Sequence, residues 1–176
     1  MDSTLLAVPT WVAAAVIVLT AVAADLDLRT RRIPNRLTVP ALLAGLLAHA
    51  IAGGPSGLGH GALGALVAGG LLMPGWLLGF TGAGDVKLMA AVGAWLAWPL
   101  SLVAALASLI AGGVLAFAVA VRHRSVGRSL WGAAMIGAWA TTPGRRVAPP
   151  PVTTGIRFPF AGAVFAGSLI SLWVRL

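Results

Sequence analysis

Residues Leu5–Arg36 read LLAVPTWVAAAVIVLTAVAADLDLRTRRIPNR. The stretch opens as an uncharged apolar run, Leu5–Ala24, long enough to cross the hydrocarbon core of a bilayer as a helix. It then turns charged, with Asp25, Asp27, Arg29, Arg31, Arg32 and Arg36, and Pro34 breaks the chain ahead of the next apolar run. An apolar run closed by a basic loop is the pattern of a membrane span with that loop on the cytoplasmic side. The tetrapeptide AVAA before Asp25 also resembles a signal-peptidase site. Two features favour an uncleaved anchor over that rival: no basic segment precedes the apolar run, and arginines follow it directly.

The rest of the chain has the same character. Of its 176 residues 59% are hydrophobic and only 9% charged, with a mean hydropathy of +0.97, whereas a soluble domain keeps roughly a quarter of its residues charged. The fold expected is an all-α polytopic membrane helical bundle, a single integral membrane domain over residues 1–176, with membrane lipids around it. A formal charge of +8 raises nucleic acid as a partner, but basic residues in so apolar a chain mark cytoplasmic loops, and no nucleic-acid partner is expected. There is no cysteine, which excludes disulfides, thiol catalysis and cysteine-ligated zinc. His49, His60 and His123 are scattered without metal-ligand spacing, so neither a metal nor a cofactor is expected.

Six spans are expected. After Leu5–Ala24 come a second from about Leu37 to Ala52, a flexible hairpin GGPSGLGHG, and a third from about Ala62 to Phe80. The apolar stretch from Lys87 to Val121 is too long for one crossing. Pro99, flanked by Trp95 and Trp98, is its natural bend and makes spans four and five. Phe158–Val174 is the last. Residues 130–140 are short for a crossing and either lie on the membrane or dip into it, and TTPGRRVAPPP reads as a loop.

Orientation follows from the basic residues. With the N-terminus outside, Arg29, Arg31, Arg32, Arg36, Lys87, Arg122, Arg124, Arg128, Arg145, Arg146 and Arg157 all fall on the cytoplasmic side. Of the 12 lysines and arginines only Arg175 is left outside.

The acidic residues are then conspicuous: there are four, Asp2, Asp25, Asp27 and Asp85. Asp2 is terminal. Asp25 and Asp27 end span one and Asp85 begins span four, in TGAGDVKLMA (Thr81–Ala90). Spans two and three leave and return to the same face, so a bundle can bring these sites together. Carboxylates at a membrane boundary are costly, which makes them candidates for function; the plainer reading is interfacial aspartates paired with arginines. Gly82 and Gly84 clear side chains from the approach to Asp85, and Pro34 with Asn35 favours a turn before span two. Two aspartates sharing a site can activate water, one accepting its proton while the other, protonated, polarises a carbonyl. Asp85 starts a helix and Asp27 ends one, so the macrodipole makes Asp85 the expected base and Asp27 the expected acid, against the pull of Arg29, Arg31 and Arg32. Asp25 and Asp27, two apart on a helix, point about 200° apart, so at most one faces Asp85. Lys87, two residues after Asp85, points to another face and is not its expected ion-pair partner; its stem would snorkel to the interface.

Together, DLRTRRIPNRLT and GAGDVKLMAAVGAWL resemble the type IV prepilin peptidase family, membrane aspartyl proteases of the GxGD type. There one aspartate stands a few residues before a hydrophobic-Pro-Asn turn and the second in G-x-G-D-x-K. The resemblance selects Asp27, seven residues before Pro34, over Asp25, and matches Gly82, Gly84, Asp85 and Lys87. It leaves Asp25 as a neighbour, paired with Arg29. FPFAGAVFAG is similar to a looser Pro-aromatic stretch before the family's last span. The resemblance implies removal of the short basic leader from pilin-like (prepilin) precursors at the cytoplasmic face of the cell membrane. Catalysis would fall to Asp27 and Asp85, with Gly82, Gly84, Lys87, Pro34, Asn35 and Asp25 supporting or binding substrate. Larger members carry an N-terminal cysteine-containing segment and also methylate the new N-terminus. This chain resembles the short, peptidase-only members beside tight-adherence (Flp) pili, so N-methylation is not expected.

Two other classes stay open on the sequence. An ion or solute transporter would use the aspartates as a relay, but span interiors almost wholly of Ala, Leu, Val, Ile and Gly offer it few polar groups. A non-catalytic membrane subunit of a pilus or secretion system would leave the aspartates inert.

Overall fold

The computed structural model describes residues 8–78, 80–122, 127, 131 and 160–173. Among them the regular structure is helical, and the elements with described bounds are α1 (Thr10–Thr30), α2 (Asn35–Leu77), α3 (Ala83–Leu96), α4 (Leu100–Arg122) and α5 (Ala161–Trp173). Because α2 is two arms, residues 35–53 and 55–77, each of the six expected apolar segments has a helical counterpart. Three elements, α1, α2 and α4, are long and apolar enough to cross a membrane. Residues 130–140 and the TTPGRRVAPPP loop lie outside the described residues.

Local chemistry sets the boundaries. Arg31 ends α1 in the left-handed conformation (φ 53°, ψ 29°), its N–H returning to the Asp27 carbonyl at 2.9 Å, a turn that ordinarily favours glycine. Pro34 then precedes α2 with extended backbone, and its carbonyl accepts the Leu37 N–H at 3.0 Å. Asn35 is therefore the first helical residue, where the sequence suggested a turn. The expected hairpin GGPSGLGHG is also far tighter. Only Gly54 leaves helical geometry (φ 60°, ψ −146°), and Pro55, which has no N–H to satisfy, opens the second arm. Ser56 Oγ donates to the Gly53 carbonyl at 2.9 Å.

The two arms of α2 pack on α3 from both directions. The first runs alongside it, with Lys87 Nζ donating to Asn35 Oδ1 at one end and His49 Nε2 bonded to the Trp95 carbonyl at the other. The second returns against it, Gly64 meeting Gly93, Gly69 meeting Ala90 and Gly75 meeting Thr81. The span expected after Lys87 begins earlier, at Ala83, which puts Asp85 inside the first turn of α3. Pro99 falls in the break between α3 and α4, as its sequence setting suggested.

Next, α1 runs antiparallel to α3, so that Trp11 meets Trp95 edge-on (ring centroids 6.0 Å apart) at the end opposite the aspartates. Antiparallel packing of α4 and α5 rests on Gly167 against Ser108 and Phe160 against Gly112. The core is aliphatic and small, including Val16, Ala23, Leu72, Leu88, Met89, Val92 and Val164. Outside, large apolar side chains such as Leu47, Ile51 (77% exposed), Leu66 and Ile110 face outward, an arrangement suited to lipid and unsuited to water.

Gly93 tests the packing. A methyl there would overlap the Gly64 carbonyl, whereas one at Gly70 meets nothing within 4 Å. Gly93→Ala should destabilise the folded protein in detergent by roughly 1–3 kcal/mol, and Gly70→Ala should not. Thermal unfolding of both variants measures the difference, and equal stability would mean that α2 and α3 are not so closely apposed.

Candidate active site

Asp85 is the third residue of α3 and is buried, although the helix opens at the surface, with Gly82 and Ala83 exposed. Its Oδ2 accepts the N–H of Gly82, the residue that caps the helix, at 2.9 Å. This is half of a capping box; a glycine cap has no side chain to complete the other half. Gly84 serves differently. A Cβ on it would lie 3.1 Å from Cβ of Ile33, so the bare backbone admits the link between α1 and α2 against the start of α3. That approach brings Pro34 and Asn35 alongside, and the Lys87 ammonium donates to Asn35 Oδ1 at 3.0 Å. Lys87 thus ties α3 to α2 and, as its spacing suggested, is not paired with Asp85.

Asp27 lies in the last turn of α1. Its Oδ2 accepts the N–H of Ala161, the first residue of α5, at 3.3 Å. Ala161 is fully buried, and an N–H in the first turn of a helix has no partner within that helix; the carboxylate supplies one. Asp25, two positions earlier, faces the other way. Its carboxylate is about half exposed (55%) and pairs with Arg29 at 2.8 Å, the partner the i, i+4 spacing suggested.

Asp27 and Asp85 are 9% and 8% exposed, and they lie close enough for the charge of one to act on the other. Each uses Oδ2 for one backbone N–H, and neither carboxylate has another hydrogen bond among the described residues. The end of α1 at Asp27 and the start of α3 at Asp85 give the dipole asymmetry the sequence suggested, and the start of α5, which also faces Asp27, works against it. Arg29, Arg31, Arg32, Arg36 and Lys87 belong to the same end of the bundle.

Residues 13–117, which span both aspartates and most of α1–α4, match the model of the type IV leader peptidase family. The chain belongs to that family. Among relatives of this type IV leader peptidase family member, leader peptidase HopD of Salmonella typhimurium is 39% identical over 107 residues, which cover 56% of this chain and 68% of that protein. The prepilin leader peptidase/N-methyltransferase of Aeromonas hydrophila is 39% identical over 116 residues, 58% of this chain and 39% of that protein. The chain's match thus spans about two thirds of one relative and two fifths of the other. No solved structure gives a significant match.

Nothing in the two family motifs pointed to the third partner, the start of α5, which lies 134 residues from Asp27. Its one signal in the sequence was the FPFAGAVFAG resemblance, which carried no role. The described histidines serve the fold: His60 Nδ1 bonds to the Ser56 carbonyl at 2.8 Å, and His49 bonds to Trp95. Among the described residues no three His, Cys, Asp or Glu side chains gather as metal ligands do.

The Asn35–Lys87 tie is exposed, so its net worth should be modest. Asn35→Leu and Lys87→Met should each cost about 0.5–1.5 kcal/mol or less, and a double-mutant cycle should show them coupled. Strictly additive effects on thermal unfolding would mean that the bond contributes nothing in solution.

Proposed function

We propose that this type IV leader peptidase family member is a membrane-embedded aspartyl endopeptidase, cleaving the short basic leader from type IV pilin-like precursors. The observation that supports the reading is that Asp27 and Asp85, both buried, lie within range of one another's charge at the end of the bundle where arginines and Lys87 gather. Support for the substrate class comes from the family and from the leader-peptidase names of both relatives. The positive-inside pattern of Arg29 to Arg36 and Lys87 supports a multi-pass protein with its N-terminus outside and the aspartates near the cytoplasmic face of the cell membrane.

In this mechanism the carboxylate pair holds a single proton between its members. Water attacks the scissile carbonyl carbon and passes a proton to the ionised aspartate, while the protonated one gives its proton to the carbonyl oxygen. Collapse of the tetrahedral intermediate breaks the C–N bond, and the departing amine takes a proton back from the pair. Burial serves this chemistry because charges and dipoles act more strongly where water is thinned out. The backbone N–H groups of Gly82 and Ala161 hold one oxygen of each carboxylate and leave the other for proton transfer.

A basic face does not attract a basic leader. The arginines serve orientation and contacts with anionic lipid headgroups instead, and the apolar segment that follows a pilin-like leader would be held by the membrane.

Asparagine is the informative replacement, since its carbonyl oxygen can still accept the N–H from Gly82 or Ala161. Asp27→Asn and Asp85→Asn should each abolish precursor cleavage by the purified full-length protein while leaving it folded and inserted. Asp25→Asn, which loses only an exposed pair with Arg29, should keep most activity. Cleavage against pH should follow a bell belonging to the aspartates jointly. An active Asp27→Asn variant beside a dead Asp25→Asn variant would refute the assignment.

A further inference from the structure

The hydrogen bond from Ala161 to Asp27 is only as well placed as the start of α5, and that start is held from α4. Phe160 caps α5, its carbonyl accepting the N–H groups of Ala163 (2.9 Å) and Val164 (3.1 Å). Its side chain is buried, and the ring edge lies directly over Gly112 in the middle of α4. A methyl group at Gly112 would overlap that ring, whereas a methyl at the next residue, Gly113, would meet nothing within 4 Å. Two adjacent glycines on one helix thus differ completely in what they face. Of the two, it is Gly112 that meets the Phe160 ring.

We propose that Phe160 and Gly112 are positioning residues for Asp27: the ring, seated on the bare backbone of Gly112, fixes the start of α5 so that the Ala161 N–H holds Oδ2 of the Asp27 carboxylate. The inference rests on the aspartyl-peptidase reading and goes beyond it, because Gly112 lies outside both aspartate motifs. Its physical basis is the narrow tolerance of a two-carboxylate site. Each carboxylate must present its remaining oxygen to water or to a carbonyl within hydrogen-bond reach. Displacing a supporting group by about 1 Å can cost on the order of 100-fold in rate. Asp85 takes its support from its own helix, through Gly82 three residues away. Asp27 has no such local support, since its helix is ending, and so takes it from another element.

The test uses the full-length protein in detergent or vesicles, a pilin-like precursor as substrate, and separate measurement of kcat and KM. Gly112→Ala should lower kcat on the order of 10- to 100-fold with KM nearly unchanged, and Gly113→Ala should leave both at wild-type values. Phe160→Leu, a smaller change, should lower kcat with KM again unchanged. Combined with Gly112→Ala it should restore kcat above that of Gly112→Ala alone, the methyl occupying space the ring has left. A purely structural role would instead lower the amount of folded protein without this split or rescue. Should Gly112→Ala fail to fold, Phe160→Leu decides: wild-type kcat there overturns the proposal. It is overturned equally by a folded Gly112→Ala protein of normal kcat, by equal losses at Gly112 and Gly113, or by a double variant no better than Gly112→Ala. A wild-type protein that cleaves nothing, or an Asp27→Asn variant that still cleaves, sinks the peptidase reading and this inference with it. The other failures sink the inference alone.

Discussion

The first N–H groups of a helix have no partner within it, and beside each of the two buried aspartates of this protein a helix begins. Much of the arrangement around the site answers that constraint. α3 begins at Ala83 and turns Asp85 back onto the Gly82 N–H; α5 begins at Ala161 and finds the carboxylate of Asp27. A chain with four acidic residues thus commits two of them to helix starts. Such a placement is favourable for a carboxylate, because the positive end of each helix dipole faces it. It also draws the two acidic groups toward one another, a mutual approach that charge repulsion alone would oppose. The plain structural role of these aspartates and the proposed chemical one are therefore compatible: the caps hold the carboxylates, and their remaining oxygens are left for water.

The packing that brings them together depends on small residues. α3 lies between the two arms of α2, and at Gly45, Gly64, Gly69 and Gly93 the helices approach so closely that a side chain would have to displace a neighbour. In lipid, where apolar side chains gain little from leaving their surroundings, close backbone contact is the main source of helix association. Gly84 extends the same device to the link carrying Pro34 and Asn35, and Gly112 extends it to α4. The glycines of this chain are thus distributed along its contacts and are not simply marks of loops.

That distribution explains what could be read from the sequence. The apolar runs, the bend at Pro99 and the charged end after Ala24 were legible because hydropathy and arginine placement report directly on lipid and water. Asp27 and Asp85 stood out by their scarcity and by the motifs around them; helical geometry let only one of Asp25 and Asp27 face Asp85, and the family resemblance chose Asp27. Reading GGPSGLGHG as a flexible hairpin put too much of it outside helix. Its glycines suggested a loop, yet Gly54 alone makes the turn and the others lie in helix, Gly57 close against His49 and Gly61 buried against α3. Asn35 was placed in a turn because asparagine favours turns, whereas it is helical with its side chain committed to Lys87. The start of α5 beside Asp27 was not legible at all. A backbone N–H has no residue identity, and no local pattern announces which carboxylate it will meet 134 positions away.

The reversal at Gly54 bears on how the protein enters the membrane. Between Arg36 and Asp85 the chain carries no Asp, Glu, Lys or Arg, and Gly54 turns it within a single residue. The two arms of α2 can therefore enter the bilayer together as a helical pair, with no formal charge carried through the hydrocarbon. Nothing at the tip has to be held back or pulled across. Arg36 and the Asp85–Lys87 segment flank the pair at its base. The same turn shapes the finished architecture: it makes α2 a two-sided cradle, and α3 lies between its arms.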